Sequence, residues 1–214
     1  MENVMAYIQE KWNQLTGFSK NETLRQELFQ QLASRHTSPN RFYHTLQQVA
    51  NVFLLCEANM AKIENPMAVG LAILYHRVVY DTFKDDNAQA SAQLAEVHLQ
   101  LLKIKSTITQ KVTALVSTGI DSNNGGLTDY ENDVKYFVDF DLAILGAPWN
   151  EYEKYSLLIR KEFRQYPDDL YKPGRKNALQ KLHDKTNIYL TSHFQQQYGA
   201  QARQNIFREI QLLS

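Results

Sequence analysis

From Met67 to Tyr80 the chain reads MAVGLAILYHRVVY, so uniformly apolar that a helix built from it has no polar face to turn toward water. Such a helix must be enclosed by others. The stretch therefore predicts a central helix, launched by Asn65 and Pro66 as a cap and first-turn pair. His76 and Arg77 interrupt the apolar run side by side. A buried polar side chain needs a partner, so this pair is the first candidate for chemistry.

The rest of the chain reads as helices packed around that one. Tyr7, Ile8, Trp12 and Leu15 share one face of a first helix. Ser19 with Glu22 has the spacing of a capping box ahead of Leu24, Leu28 and Leu32. A third helix is predicted from Tyr43 to Met60, with Leu46, Val49, Ala50, Phe53 and Leu54 inward. Ala88, Ala92, Ala95 and Leu99 fall in register after Asp86 and Asn87, and a further helix covers Ile108 to Val116. The SNNGG stretch within Gly119 to Leu127 reads as a loop, and Thr128 with Glu131 as a second capping box. The helix beyond it sets Val134, Phe137, Val138 and Asp141 on one stripe. A tyrosine-rich helix (Tyr152, Tyr155, Ile159, Phe163), a turn region punctuated by Pro167, Pro173 and Gly174, and two final helices complete the chain. Only short stretches such as Ile188 to Thr191 could pass as strand, so an all-α bundle is predicted, and 214 residues without a linker-like tract predict a single domain over 1–214.

Composition limits the partners. The 23 Lys and Arg balance the 23 Asp and Glu, so no bulk field draws the chain to nucleic acid or an anionic membrane. No apolar run approaches the roughly 18 residues that would span a bilayer, and the N-terminal MENVMAYIQEKW has no leader pattern, so a cytoplasmic protein is expected. The single cysteine, Cys56, lies among Val52, Phe53, Leu54 and Leu55 and reads as an inert buried thiol.

Three polar residues fall where the helical pattern predicts burial: His44, His76 and Asp141. Each alone suits a satisfied core residue. Converging on one point, two imidazoles and a carboxylate would suit a divalent cation. His36, His98, His183 and His193 match no ligand pattern, and surface or capping roles are expected for them.

Several segments resemble, in order and spacing, a bacterial family described as predicted metal-dependent phosphohydrolases of the HD superfamily. The family's Tyr-His-Asn-x-x-His-Ile is met by Tyr43, His44, Thr45, Gln48 and Val49, and its Trp-Phe-His-Asp-x-Val-Tyr-Asp by Leu74 to Asp81. Its Asp-Asn-Glu-x-x-Ser-Ala is met by Asp86, Asn87, Ala88, Ser91 and Ala92, and Asp-x-Asp-Leu-Ala-Ile-Leu-Gly stands intact from Asp139 to Gly146. The C-terminal half follows through Arg160, Glu162, Tyr166, Pro167, Tyr171, Gly174, Arg175, Ile188, Tyr189 and Asn205, so the resemblance spans roughly 20–210. It implies an HD-like helical fold in which His44, His76 with its following Asp, and Asp141 would hold one or two divalent ions (Mn, Fe, Ni, Zn or Mg) that activate water against a phosphate ester.

The departures from the family's pattern fall on the ligands. Arg77 stands where the Asp of the His-Asp pair belongs, Gln48 replaces the second His, Ala88 replaces a Glu, and Thr118 to Asp121 lack an expected His. A guanidinium cannot coordinate a cation. At about 5 Å from a divalent ion and an effective dielectric of about 20, it would repel it by roughly 6 to 7 kcal/mol. The expectation is a degenerate site without a cofactor, in which Arg77 acts as counter-charge to Asp141 or Asp139. Such a protein would bind a phosphorylated ligand or partner through Arg77, Arg160 and Arg175, amid the further positive charge of Lys161, Arg164, Lys172 and Lys176. The alternatives are a rebuilt one-metal phosphohydrolase on His44, His76 and Asp141, with Asp121 or Asp139 supplying the missing charge, and a structural module that forms homo-oligomers through its tyrosine-rich surface.

Overall fold

The computed structural model describes residues 2–118 and 131–213, and within them the chain is all-helical, with no β-strand. The α-helices are α1 (Glu2–Thr16), α2 (Glu22–His36), α3 (Leu46–Ala58), α4 (Pro66–Tyr75), α5 (Asn87–Leu101), α6 (Ser106–Ser117), α7 (Glu131–Leu142), α8 (Trp149–Glu162), α9 (Asp168–His183) and α10 (Ser192–Leu212). They form two compact units, Met1–Phe137 and Val138–Ser214, the division falling inside α7. Among the described residues no helix is long and apolar enough to cross a membrane.

In the first unit α4 is the central element that its sequence predicts, packed against α1, α3, α5 and α6. Every residue from Ala68 to Tyr75 is buried. The Asn65 Oδ1 accepts the Ala68 N–H at 3.0 Å, as a cap should. Asp133, buried on α7, reinforces that start by accepting the Glu64 and Asn65 N–H groups at 2.7 and 2.9 Å. The helix is shorter than expected. It ends at Tyr75, because His76 turns to an extended ψ of 122° and Arg77 follows with a left-handed φ of 53°, neither of which a continuing α-helix can contain. His76 and Arg77 therefore lie just beyond α4, in the turn.

Other expectations are corrected by local chemistry. Asn21, and not Ser19, caps α2, its Oδ1 accepting the Leu24 N–H at 3.0 Å. α3 begins at Leu46, leaving His44 in the approach to the helix, and Leu54 points outward at 56% exposure. The Pro167 to Gly174 region is mostly helix: Pro167 caps α9, which runs through Pro173 and Gly174. The Gly119 to Leu127 loop and the Thr128 half of the second capping box lie outside the described residues.

In the second unit the Asp139–Gly146 motif is a clamp on α10 and the segment before it. Asp139, fully buried, accepts the Leu190 N–H (2.7 Å), the Thr191 N–H (2.8 Å) and the Thr191 hydroxyl (2.6 Å). Thr191 in turn caps α10 by accepting the Phe194 N–H. The Tyr189 hydroxyl donates to the Leu142 carbonyl, and Asn205 Nδ2 donates to the carbonyls of Leu145 and Ala147, each at 2.8 Å. A Cβ on Gly146 would stand 2.5 Å from Tyr198 Cβ, so only glycine allows this approach.

Candidate functional site

The turn after α4 is pinned from several sides within the first unit. Arg41, 9% exposed, sends Nη1 to the carbonyls of Arg77 (2.6 Å) and His44 (3.1 Å) and Nη2 to that of Val78 (2.8 Å). Its guanidinium also lies 5.3 Å from the centre of the Tyr80 ring. Ser91, on α5, exchanges hydrogen bonds with the N–H and carbonyl of Val79 at 3.0 and 3.2 Å. Asn87 holds Asp81 through both its N–H and its carbonyl, and reaches the Lys84 carbonyl as well. The Asn and Ser of the third matched motif thus fix the conformation of the second.

Arg77 bends back on its neighbour: its Nε–H donates to His76 Nε2 at 3.1 Å. The lone pair that a metal would need on that nitrogen is spent on a guanidinium. His76 also meets the Phe137 ring edge-on at 5.3 Å. His44 is buried between Tyr43 and Tyr80, with ring centres 5.1 and 4.5 Å away. Among the described residues no group of three or more His, Cys, Asp or Glu side chains is arranged to hold a metal ion. In this arrangement His76 Nε2 is not offered to a divalent cation of the kind that the resemblance implies.

Asp141 is half-buried on α7. Asp139 is committed to Leu190 and Thr191, which accounts for its burial without a cation. Burial raises its carboxyl pKa, and the three hydrogen bonds pull it back only in part. Asp121 lies outside the described residues. Arg160 donates to the carbonyls of Phe163 (2.9 Å) and Tyr166 (3.0 Å) and to Asp168 (2.8 Å), tying the end of α8 to the start of α9. Arg175 makes a two-pronged pair with Glu209, Nε to Oε1 at 2.9 Å and Nη2 to Oε2 at 3.2 Å. Burial would raise the Glu209 carboxyl, but Arg175, Tyr152 and Ser156 outweigh it and hold it low.

Two histidines for which surface or capping roles are expected are in the core. His36 is 2% exposed, with Nε2 3.2 Å from the Leu74 carbonyl; His98, also buried, has Nδ1 3.1 Å from the Tyr75 hydroxyl. Burial, helped by the Arg41 cation, pushes His36 down to about 3 against the pull of nearby carbonyls. Cys56 is buried as expected, and burial, with Glu57 adding to it, pushes its thiol up to about 11. Arg41 escapes a reading of the sequence because no periodic helix contains it. Glu209 leaves a trace, as an acid three positions after Ile206 on the buried stripe of α10. No family model, curated protein or solved structure matches the chain.

Proposed function

We propose that this chain is a non-hydrolytic member of the HD-like phosphohydrolases, which binds a phosphorylated small ligand or partner without cleaving it. The observation that carries this reading is the Arg77 Nε–H on His76 Nε2 at 3.1 Å. At the position of the family's metal-binding carboxylate stands a fixed positive charge, and it occupies the neighbouring ligand nitrogen. A cation entering there would find that Nε2 already engaged and meet the guanidinium's repulsion. A phosphate would meet a group suited to it.

Metal content of the purified chain, with phosphate release from nucleotides and sugar phosphates, tests the reading. Neither stoichiometric metal nor turnover is expected, and finding both would overturn it. Restoring the carboxylate with Arg77→Asp is expected to raise Mn²⁺ affinity by about tenfold or more, the change that relief of roughly 1.4 kcal/mol of repulsion would produce. Aspartate tolerates the left-handed backbone at this position, so the variant is expected to fold. No gain in Mn²⁺ binding would count against Arg77 as the residue that closed the site.

A further inference from the structure

Between the end of α8 and the first half of α9 lies a cavity of about 340 Å³, walled by Phe163, Tyr166, Leu170 and Tyr171 and reached by Gly174 and Arg175. The Phe163 ring centre is 5.9 Å from that of Tyr166 and 6.0 Å from that of Tyr171, giving an aromatic lining. Arg175 is its cationic element. Glu209 holds the Nε and Nη2 of that guanidinium, and is itself fixed by the Tyr152 hydroxyl at 2.5 Å. The pair with Glu209 uses Nε and Nη2 and leaves Nη1 outside it.

Gly174 leaves open space beside this cavity. A Cβ built on it meets nothing within 4 Å, so no close approach in the fold requires glycine there. Glycine inside a helix costs about 1 kcal/mol relative to alanine, and the preceding Pro173 removes a backbone donor as well. What the missing side chain provides is room on the cavity wall.

We propose that this cavity binds a small monocarboxylate with an apolar aryl or short acyl body. The body lies against the rings of Phe163, Tyr166 and Tyr171, and the carboxylate takes the Arg175 Nη1 donors. Glu209 already offsets much of the guanidinium charge, so a phosphate dianion would add repulsion where a single negative charge is tolerated. This proposal does not depend on the reading given for the Arg77 turn.

The test is titration of the full chain with phenylacetate and hexanoate, followed by NMR, with benzyl alcohol and inorganic phosphate alongside. The carboxylates are expected to saturate, and the alcohol and phosphate to bind more weakly by about tenfold or more, one charged hydrogen bond's worth. Arg175 also anchors Glu209, so the deciding variant is Gly174→Leu, whose side chain enters open space. It is expected to weaken carboxylate binding by about tenfold or more through lost room and lost desolvated contact. Gly174→Ala is expected to raise Tm while weakening binding, a combination that a purely structural glycine would not give. Failure of both carboxylates to saturate, equal binding of benzyl alcohol or phosphate, or undiminished binding by Gly174→Leu would each overturn the proposal.

Discussion

Each unit buries a guanidinium, and the two are used in opposite ways. Arg41 in the first unit turns toward the backbone carbonyls of His44, Arg77 and Val78. Arg175 in the second turns toward the carboxylate of Glu209. A cation on carbonyls fixes the path of the chain, and here it fixes the turn that carries His76 and Arg77. A cation on a buried carboxylate fixes a side-chain network, and leaves the helices to set the backbone. The first arrangement makes a turn rigid; the second makes two charges interdependent.

That contrast can be broken most severely in the second unit. Glu209→Ala strands Arg175 and removes the acceptor of Tyr152, and is expected to cost about 3–5 kcal/mol in urea unfolding. The double change Arg175→Met with Glu209→Leu should recover most of that loss, because the pair's cost lies in separating it. Arg41→Met comes next. Losing a charged donor to three carbonyls is expected to cost about 2–3 kcal/mol, with faster amide exchange at Val78 and Val79 in the turn.

Acid should separate the units more gently. His36 sits near 3 in the fold against an ordinary value of 6.5, so the stability from keeping it neutral is complete above 6.5 and is lost as pH falls toward 3. Glu209 is also held low, but from 4.5, so its contribution survives until the pH drops below that value. Near pH 5 the first unit is therefore expected to have lost about 2 kcal/mol from His36 alone, while the Arg175–Glu209 pair is intact. Native-state amide exchange at pH 5 and pH 7 would read the difference. Arg41→Met should narrow the His36 part of it, because that cation helps to hold the imidazole down.

The all-helical class and the central place of α4 were legible because both follow from apolar periodicity, which a reading of residues sees directly. The end of α4 was not. Val78, Val79 and Tyr80 continue the apolar run, while the stop at Tyr75 depends on Arg77's left-handed backbone and on donors from Arg41 and Ser91, distant in sequence. Pro173 and Gly174 look like a turn by composition, yet α9 carries both. At the candidate site the sequence pointed to the pair His76 and Arg77, though as part of the helix and not of a turn. It could not show that Asp139 spends its carboxylate on Leu190 and Thr191, because that pairing joins segments about fifty residues apart. His36 and His98 gave no sign of burial, since an imidazole suits surface and core alike.

The positive φ at Arg77 has a consequence for how this position would evolve. An arginine held in that conformation carries roughly 1 kcal/mol of strain that glycine would relieve, and asparagine in part. A library randomised at residue 77 and selected only for folded protein should therefore drift to Gly and Asn. Selection for whatever the chain does in its cell should keep returning Arg, and the distance between the two outcomes would measure how much of this turn belongs to function.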